Sequence, residues 1–481
     1  MTNTRRELPE PAPLWRIFEN ICSIPHPSGH EKALAEALSA FARERGLAVR
    51  SDSYGNLRID RPASPGFEGR PAVILQAHLD MVPQAERGSA FDFTRDPIPT
   101  VIEDGWMRSA AGTTLGADDG IGVAAALALL TDEGFRSGPL AAVFTLSEEV
   151  GLNGAVALDP AFLKGDFLLN LDSEDEGELF IGCAGGARLE ADLPIESEAV
   201  PPGVAGALLE VKGLAGGHSG CNIADRRGNA VRFLGLALKA AGEAARVSSM
   251  RGGSLDNAIP REAEAAVVLK REEFEPVRKR LAALAGRLRT EYVLPETFAI
   301  ELADSALPER VWTEAFQRRA ARALTDCPDG VLEMDERFSI PRTSTNLAAV
   351  LERDGMLVFR TSQRSLVDAE RQSASARVAD HFRRLGAEVR IDSEYPGWTP
   401  APESKLLKTA TSLYRELFGV EAKVKVIPAG LECGIFAGKR PGLDMVSFGP
   451  TVLDPHSPSE RVGLESAERF YSFLGALVSA L

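Results

Sequence analysis

A chain of 481 residues with 44% hydrophobic and 26% charged side chains is too long for one ordinary core, so two or more globular domains are expected. Its net charge of -15 and sequence pI near 5.1 argue against nucleic acid or an anionic membrane as the main partner and leave small-molecule chemistry. The five cysteines, Cys22, Cys183, Cys221, Cys327 and Cys433, are scattered, odd in number and show no C-x-x-C spacing, so neither a disulfide framework nor a thiolate zinc site is suggested, and a reduced cytoplasm fits best.

The first ten residues are charged with no apolar stretch behind them, and no run approaches the length of a membrane span, so a cytoplasmic protein is expected. Apolar residues recur at helical spacing over 13–22 and 31–45, the second through Leu34, Leu38 and Phe41, with Ser28-Gly29-His30 as turn material before it. Short alternating segments at 47–50 and 56–60 precede a denser apolar run, Ala72-Val-Ile-Leu-Gln-Ala-His-Leu-Asp80, which reads as a central strand buried on both faces. His78 and Asp80 stand two apart, on one side of such a strand, where Asp80 can accept the second ring N–H of His78 while the other nitrogen binds a metal.

The stretch Gly112-Thr-Thr-Leu-Gly-Ala-Asp118-Asp119-Gly-Ile-Gly122 then runs straight into an apolar helix. Three readings compete for its paired carboxylates: a helix cap, a dinucleotide fingerprint at Gly120-x-Gly122-x-x-Ala125, and a bridging metal carboxylate. The fingerprint fails on context, because no β-branched strand precedes it and two carboxylates would repel a pyrophosphate. The metal reading demands further ligand-type side chains at strand ends. They follow at once: the apolar run 140–149 ends in Ser147-Glu148-Glu149, and 167–172 ends in Asn170-Leu-Asp172. Three apolar strands with such endings read as one site.

Beyond Cys183 the texture changes to alternating strand-like and helix-like segments: strands at 207–212 and 263–270, helices at 230–245 and 274–288, then a second set at 332–340, a helix around 346–351, and segments at 356–360 and 376–385. This suggests an insertion of two similar halves, without a sequence repeat to prove it. The last stretch returns to the first texture with a helix at 404–418, a strand at 423–427, the loop Ala429-Gly-Leu-Glu-Cys-Gly434, a strand at 443–448, Pro455-His456-Ser-Pro458 and a final helix. The expected fold is therefore an α/β catalytic domain with a mixed central sheet, residues 1–184 and 398–481, interrupted by an inserted α+β lid domain, residues 185–397.

Taken together, His78-Leu-Asp80, Gly116-Ala-Asp118-Asp-Gly, Ser147-Glu-Glu149-Val-Gly, Asn170-Leu-Asp172-Ser-Glu, Gly216-Gly-His218-Ser-Gly220 and Pro455-His456-Ser-Pro resemble, in order, the motifs of the co-catalytic dizinc aminopeptidase/carboxypeptidase superfamily. The likeness extends over nearly the whole chain and is strongest to its aminoacyl-histidine dipeptidase branch, the Xaa-His or bacterial carnosinase-like dipeptidases.

The resemblance implies hydrolysis of small dipeptides with free termini by a metal-bridged water. One metal would be held by His78 and Asp172, the other by Glu149 and His456, with Asp118 bridging. Three carboxylates and a hydroxide would neutralise two divalent ions. Imidazole and carboxylate donors suit two Zn²⁺, with Mn²⁺ or Co²⁺ as alternatives. Glu148 would be the general base and Asp80 would orient His78. His218, from the lid and in related enzymes often from a partner subunit, would stabilise the oxyanion, with Asn257 a second residue of that kind and Arg364 holding the substrate carboxylate. A homodimer through the lid would follow.

Asp119 departs from the branch, which commonly has Asn there; a further carboxylate near two metals sharpens metal affinity or alters specificity. An N-acyl-amino-acid deacylase on the same site is the nearest rival, and a metal-bearing binding protein without turnover is the rival of another class.

Overall fold

The computed structural model describes residues 8–481, so most of the stretch read for a leader, residues 1–7, lies outside the described residues. No described helix is long and apolar enough to cross a membrane.

The apolar runs form the middle of an eight-stranded sheet. Val73–His78 lies between Leu140–Thr145 and Phe167–Asn170, parallel to both, and every residue of the three is buried. Such strands need cover on both faces, which is why their sequences run apolar instead of alternating. On one side the sheet continues antiparallel through Leu57–Arg61 to Ala48–Ser51. On the other, Asp444–Ser447 adds parallel to Phe167–Asn170, followed by Glu178–Cys183 and Lys423–Ile427. The sheet is thus mixed, and residues far along the chain complete it. The helix Ala117–Thr131, apolar on nearly all sides, packs against Val73–His78 and against Ala12–Cys22. This open α/β arrangement brings the carboxyl ends of its three central strands to one edge, where such sheets place ligands.

Two compact units divide the chain. The first runs up to Gly182 and takes in Pro400–Val426 and Leu431–Leu481; the second comprises Cys183–Thr399 and Ile427–Gly430.

The second unit is an antiparallel sheet of nine strands with helices packed on it. Its order resolves the suspected duplication. Ala205–Lys212, Arg246–Gly252, Ala263–Leu269 and Ala299–Asp304, with helices Ala230–Ala241 and Phe274–Glu291, form a β-α-β-β-α-β half in which the first and third strands lie at the centre. Gly185–Pro194, Ile340–Arg353, Met356–Ser365 and Glu388–Tyr395, with Glu314–Thr325 and Asp368–Arg384, repeat that order. The first half is inserted after the opening strand of the second, and the chain leaves and returns through a short ribbon, Ser197–Ala199 against Arg310–Trp312. The two halves join where Gly252 pairs with Val350.

The helix expected around 346–351 is instead part of the strand Ile340–Arg353. Leu347-Ala-Ala-Val350 is 0–1% exposed because this strand is central and covered on both faces, a burial that removes the alternation by which a strand is told from a helix. The strand's backbone pairs antiparallel with Met356–Ser365, Asn346 opposite Ser362, and the Asn346 side-chain amide donates to Ala258 O at 2.9 Å. The loop expected at Ala429–Gly434 turns helical from Glu432, within Glu432–Lys439.

Candidate metal centre

Each strand end delivers a side chain and then breaks. His78 is the last residue of its strand and 1% exposed. Its Nε2 lies 3.1 Å from Asp118 Oδ1 and 3.3 Å from Asp172 Oδ1. His456 Nε2 lies 3.0 Å from Asp118 Oδ2 and 2.9 Å from Glu149 Oε1. Asp118 therefore faces one histidine with each oxygen, and the five residues expected as ligands converge in the first unit. Ligand atoms of His78, Asp118 and Glu149 all lie within 4.8 Å of one another, as do those of His78, Asp119 and Asp172.

The donor set fits a cation. Glu149 Oε1 is buried and makes no hydrogen bond although an imidazole nitrogen is 2.9 Å away, so both groups aim lone pairs at common space. Electrostatics points the same way. The carboxylates of Asp118 and Glu149 beside its ring push the pKa of His456 up to about 11. Against burial, the acids around His78 raise its pKa well above the ordinary imidazole value. Burial lifts Asp172 to about 6 and, together with the charges of Asp172 and Glu149, holds Glu148 well above the usual carboxyl range. Asp118 moves the other way, its carboxyl held, against burial, well below the usual range by the two histidines it faces. A cluster that crowds buried carboxyls together and demands positive charge from its histidines suits a cation.

Local backbone explains why these side chains stay in place. After Thr145 the chain turns sharply, with Ser147 at φ 55, and four successive peptide N–H groups are each taken by a side chain. Leu146 donates to Asn56 Oδ1 (3.1 Å), Ser147 to Glu31 Oε1 (3.0 Å), Glu148 to Asp80 Oδ1 (2.9 Å) and Glu149 to Asp80 Oδ2 (3.2 Å). Ser28 Oγ also donates to Asp80 Oδ2, at 2.8 Å. Asp80 thus does more than serve His78. The strand stops at His78, so the alternation assumed for Asp80 no longer holds, and the nearer acceptor to His78 Nδ1 is the Asp80 carbonyl at 3.0 Å, with the carboxylate at 3.6 Å. Asn56, Glu31 and Ser28 were missed by sequence reasoning. The only signal for the last two was their closeness to Ser28-Gly29-His30, read there as turn material.

Asp119 is 2% exposed, joined to Asp118 by a cis peptide, and its Oδ2 accepts the peptide N–H of His78 at 3.2 Å. Burial, then the charges of Asp172 and Asp118, raises its pKa well above the usual value. Behind the strand ends, Glu432 Oε2 accepts from Gln76 Nε2 (2.5 Å) and Thr145 Oγ1 (2.7 Å) in a fully buried polar network.

The remaining expected residues gather within the second unit. His218 sits in a short strand, pairing with Ala258. Its Nδ1 accepts the peptide N–H groups of Gly220 (3.2 Å) and Cys221 (3.1 Å), which leaves the ring proton on Nε2. Burial, then the charge of Arg364, lowers its pKa to about 4, so the ring is a neutral Nε2–H donor. Arg364 donates from Nη1 to Tyr395 Oη at 3.0 Å and from Nε to Ser219 Oγ at 3.3 Å. Asn257 is exposed; its carbonyl, not its amide, accepts the Ser219 N–H at 2.8 Å. His218 and Asn257 line a cleft of about 890 Å³ bounded by Arg251, Arg261 and Glu262.

The same arrangement of elements occurs in known proteins. Residues 74–480 match the model of peptidase family M20/M25/M40. The chain is 40% identical over 475 residues to the cytosol non-specific dipeptidase of Escherichia coli (strain K12), spanning 98% of each chain. It is similar to the crystal structure of aminoacylhistidine dipeptidase from Vibrio alginolyticus, with a TM-score of 0.90 and 40% identity over 100% of this chain and 99% of that one. A tripeptidase from Staphylococcus aureus subsp. aureus Mu50 shares the fold, with a TM-score of 0.58 at 17% identity over 98% and 99% of the two chains. With the match running from the strand of His78 to the last helix, the chain belongs to peptidase family M20/M25/M40.

Proposed function

We propose that this protein is a metal-dependent dipeptidase that hydrolyses small dipeptides with free termini, Xaa-His dipeptides being its preferred class. One observation carries the reading: Glu148 stands beside a convergent set of two histidines and three carboxylates, in a chain alike over its full length to two dipeptidases. Those relatives are named for a non-specific and for a histidine-directed dipeptidase, so the breadth of substrate use is the property to measure.

In this reading His78 and Asp172 would hold one Zn²⁺ and Glu149 and His456 the other, with Asp118 shared between them; Mn²⁺ or Co²⁺ would suit the same donors. Bound there, the metals supply Lewis-acid activation of water and of the scissile carbonyl. Glu148 takes the proton of the attacking water and hands it to the leaving amine. A carboxylate whose pKa is raised by burial is a stronger base than a free one, which suits that task. Asp80 holds the peptide groups of Glu148 and Glu149 so that base and ligand keep separate directions. His218, neutral with its proton on Nε2, donates to the developing oxyanion, with Asn257 as a second donor. The Arg364 guanidinium, oriented by Tyr395 and Ser219, pairs with the substrate carboxylate.

Residues 1–184 with 398–481 are then the catalytic domain, and residues 185–397 the lid and dimerisation domain of a cytoplasmic homodimer. The deacylase alternative is not favoured, because both relatives at 40% identity are named dipeptidases.

The test is hydrolysis by the zinc-reconstituted protein across β-Ala-His, several Xaa-His, other free dipeptides and N-acetyl amino acids. Cleavage centred on histidine dipeptides is expected. Broad dipeptide cleavage would keep the mechanism and widen the substrate class, whereas turnover of acetylated substrates alone would replace it with the deacylase.

A further inference from the structure

Glu460 lies four residues beyond His456 in the same loop, is 2% exposed, and belongs to none of the roles above. Its carboxylate accepts four consecutive peptide N–H groups. Oε2 takes those of Leu115 (2.8 Å) and Gly116 (3.1 Å), and Oε1 those of Ala117 (2.7 Å) and Asp118 (3.3 Å). These amides need an outside partner. They stand before or at the first turn of the helix Ala117–Thr131, where the carbonyls four residues back lie outside the helix, and the turn is further broken by non-helical backbone at Asp118 (φ -84, ψ 107) and Asp119 (φ -112, ψ 30). A carboxylate at this end also meets the positive pole of the helix.

What the cradle holds is the path of the chain into Asp118. Gly116 stands in the left-handed region at φ 73, and a Cβ there would meet Met81 Sδ at 3.0 Å, so the loop is pinned from the glycine side as well. The backbone of Leu115–Asp118 decides whether the Asp118 oxygens face His78 and His456 at once, at 3.1 and 3.0 Å. Because Glu460 shares a loop with His456, the carboxylate that fixes the Asp118 backbone also fixes the segment that presents His456. No other described side chain accepts from any of these four amides.

We propose that Glu460 is a positioning residue for the metal centre, tying the Asp118 loop to the His456 loop so that both ligands meet one cation. The proposal rests on the reading of Asp118 and His456 as metal ligands. Removing an outer hydrogen-bonding partner of a metal ligand typically lowers metal affinity about 10- to 100-fold, and a loss of that size is expected here.

The experiment combines amide hydrogen exchange of the apo full-length chain with Zn²⁺ titration of wild type, Glu460→Gln and Glu460→Asp. The apo wild type should show protected amides at Leu115–Asp118. Glu460→Gln, which puts an NH₂ donor in place of one oxygen, should lose protection at one pair of these amides and bind Zn²⁺ about 10- to 100-fold more weakly per folded molecule, with Glu460→Asp, which keeps the charge, intermediate. Glu460→Gln binding Zn²⁺ as tightly as wild type would overturn the proposal while leaving the metal reading intact. A wild type that takes up no Zn²⁺ would overturn both. Should Glu460→Gln fail to fold, the wild-type exchange still decides: amides 115–118 exchanging as fast as an exposed loop would overturn the proposal without any variant.

Discussion

Asp80 Oδ1 accepts the peptide N–H of Glu148 at 2.9 Å, so the residue two beyond one histidine ligand fixes the backbone of the proposed base. The same carboxylate takes the Glu149 N–H, and one side chain thereby spans His78, Glu148 and Glu149. Asp80→Asn presents an amide N–H to one of these donors in place of an oxygen. Turnover or metal affinity is expected to fall about 10- to 100-fold with the fold retained. Steady-state kinetics with metal analysis and circular dichroism would check it; a variant as active as wild type would remove Asp80 from the machinery.

Glu148→Ala is expected to keep metal and lose about 10²- to 10⁴-fold in kcat, the usual contribution of a general acid–base group. Metal content and kcat measured on the same preparation separate this from a ligand role. Near-normal turnover would rule out Glu148 as the base.

Asp118→Ala takes both oxygens from between His78 and His456. Metal content of the purified variant, by mass spectrometry, should drop sharply, and an unchanged content would sink the bridging assignment.

His218 gives a pH prediction whose sign follows from its environment. Burial and Arg364 lower its folded pKa to about 4, below the unfolded value near 6.5, so the folded state favours the neutral ring. Its contribution to stability is therefore fully present above about pH 6.5 and is lost as pH falls towards 4, where the unfolded chain binds the extra proton. NMR of the imidazole should show a neutral Nε2–H tautomer at pH 5. A ring that titrates near 6.5 would contradict the two hydrogen bonds that Nδ1 accepts from peptide N–H groups.

Arg364→Lys removes the planar fork while keeping the charge. KM for free dipeptides should rise about tenfold or more with kcat little changed, since binding in ground and transition state is lost equally. Dipeptides amidated at the C-terminus, which offer no carboxylate, should respond much less to the substitution; an equal response would place Arg364 elsewhere.

How legible all this was depends on what each residue does. His78, Glu149 and Asp172 could be found because each follows an apolar run, and a polar side chain at the end of a doubly buried strand stands out. The inserted α+β portion was legible from the change of texture beyond Cys183 and its return in the last stretch. Leu347–Val350 misled because central burial leaves four apolar residues with no period to read. Asn56, Glu31 and Glu460 were invisible for a different reason. Their partners are peptide N–H groups, which every residue but proline possesses, so neither end of the hydrogen bond leaves a distinctive letter in the sequence. The same holds for the proton position on His218, set by two backbone donors.

The nesting of one β-α-β-β-α-β half inside the other governs the order in which a growing chain can fold. Gly185–Pro194 emerges early, yet its hydrogen-bonded neighbours, Met356–Ser365 and Glu388–Tyr395, are synthesised only after the whole inner half has passed. The first unit waits longer still, for Asp444–Ser447 to pair beside Phe167–Asn170. The inner half, from Ala205–Lys212 to Ala299–Asp304, pairs its strands within one continuous stretch and has the shortest loops to close. Within the second unit it is the half that can assemble first during synthesis, whereas in the first unit the strand that leads to Asp172 keeps one edge unpaired until the last part of the message has been read.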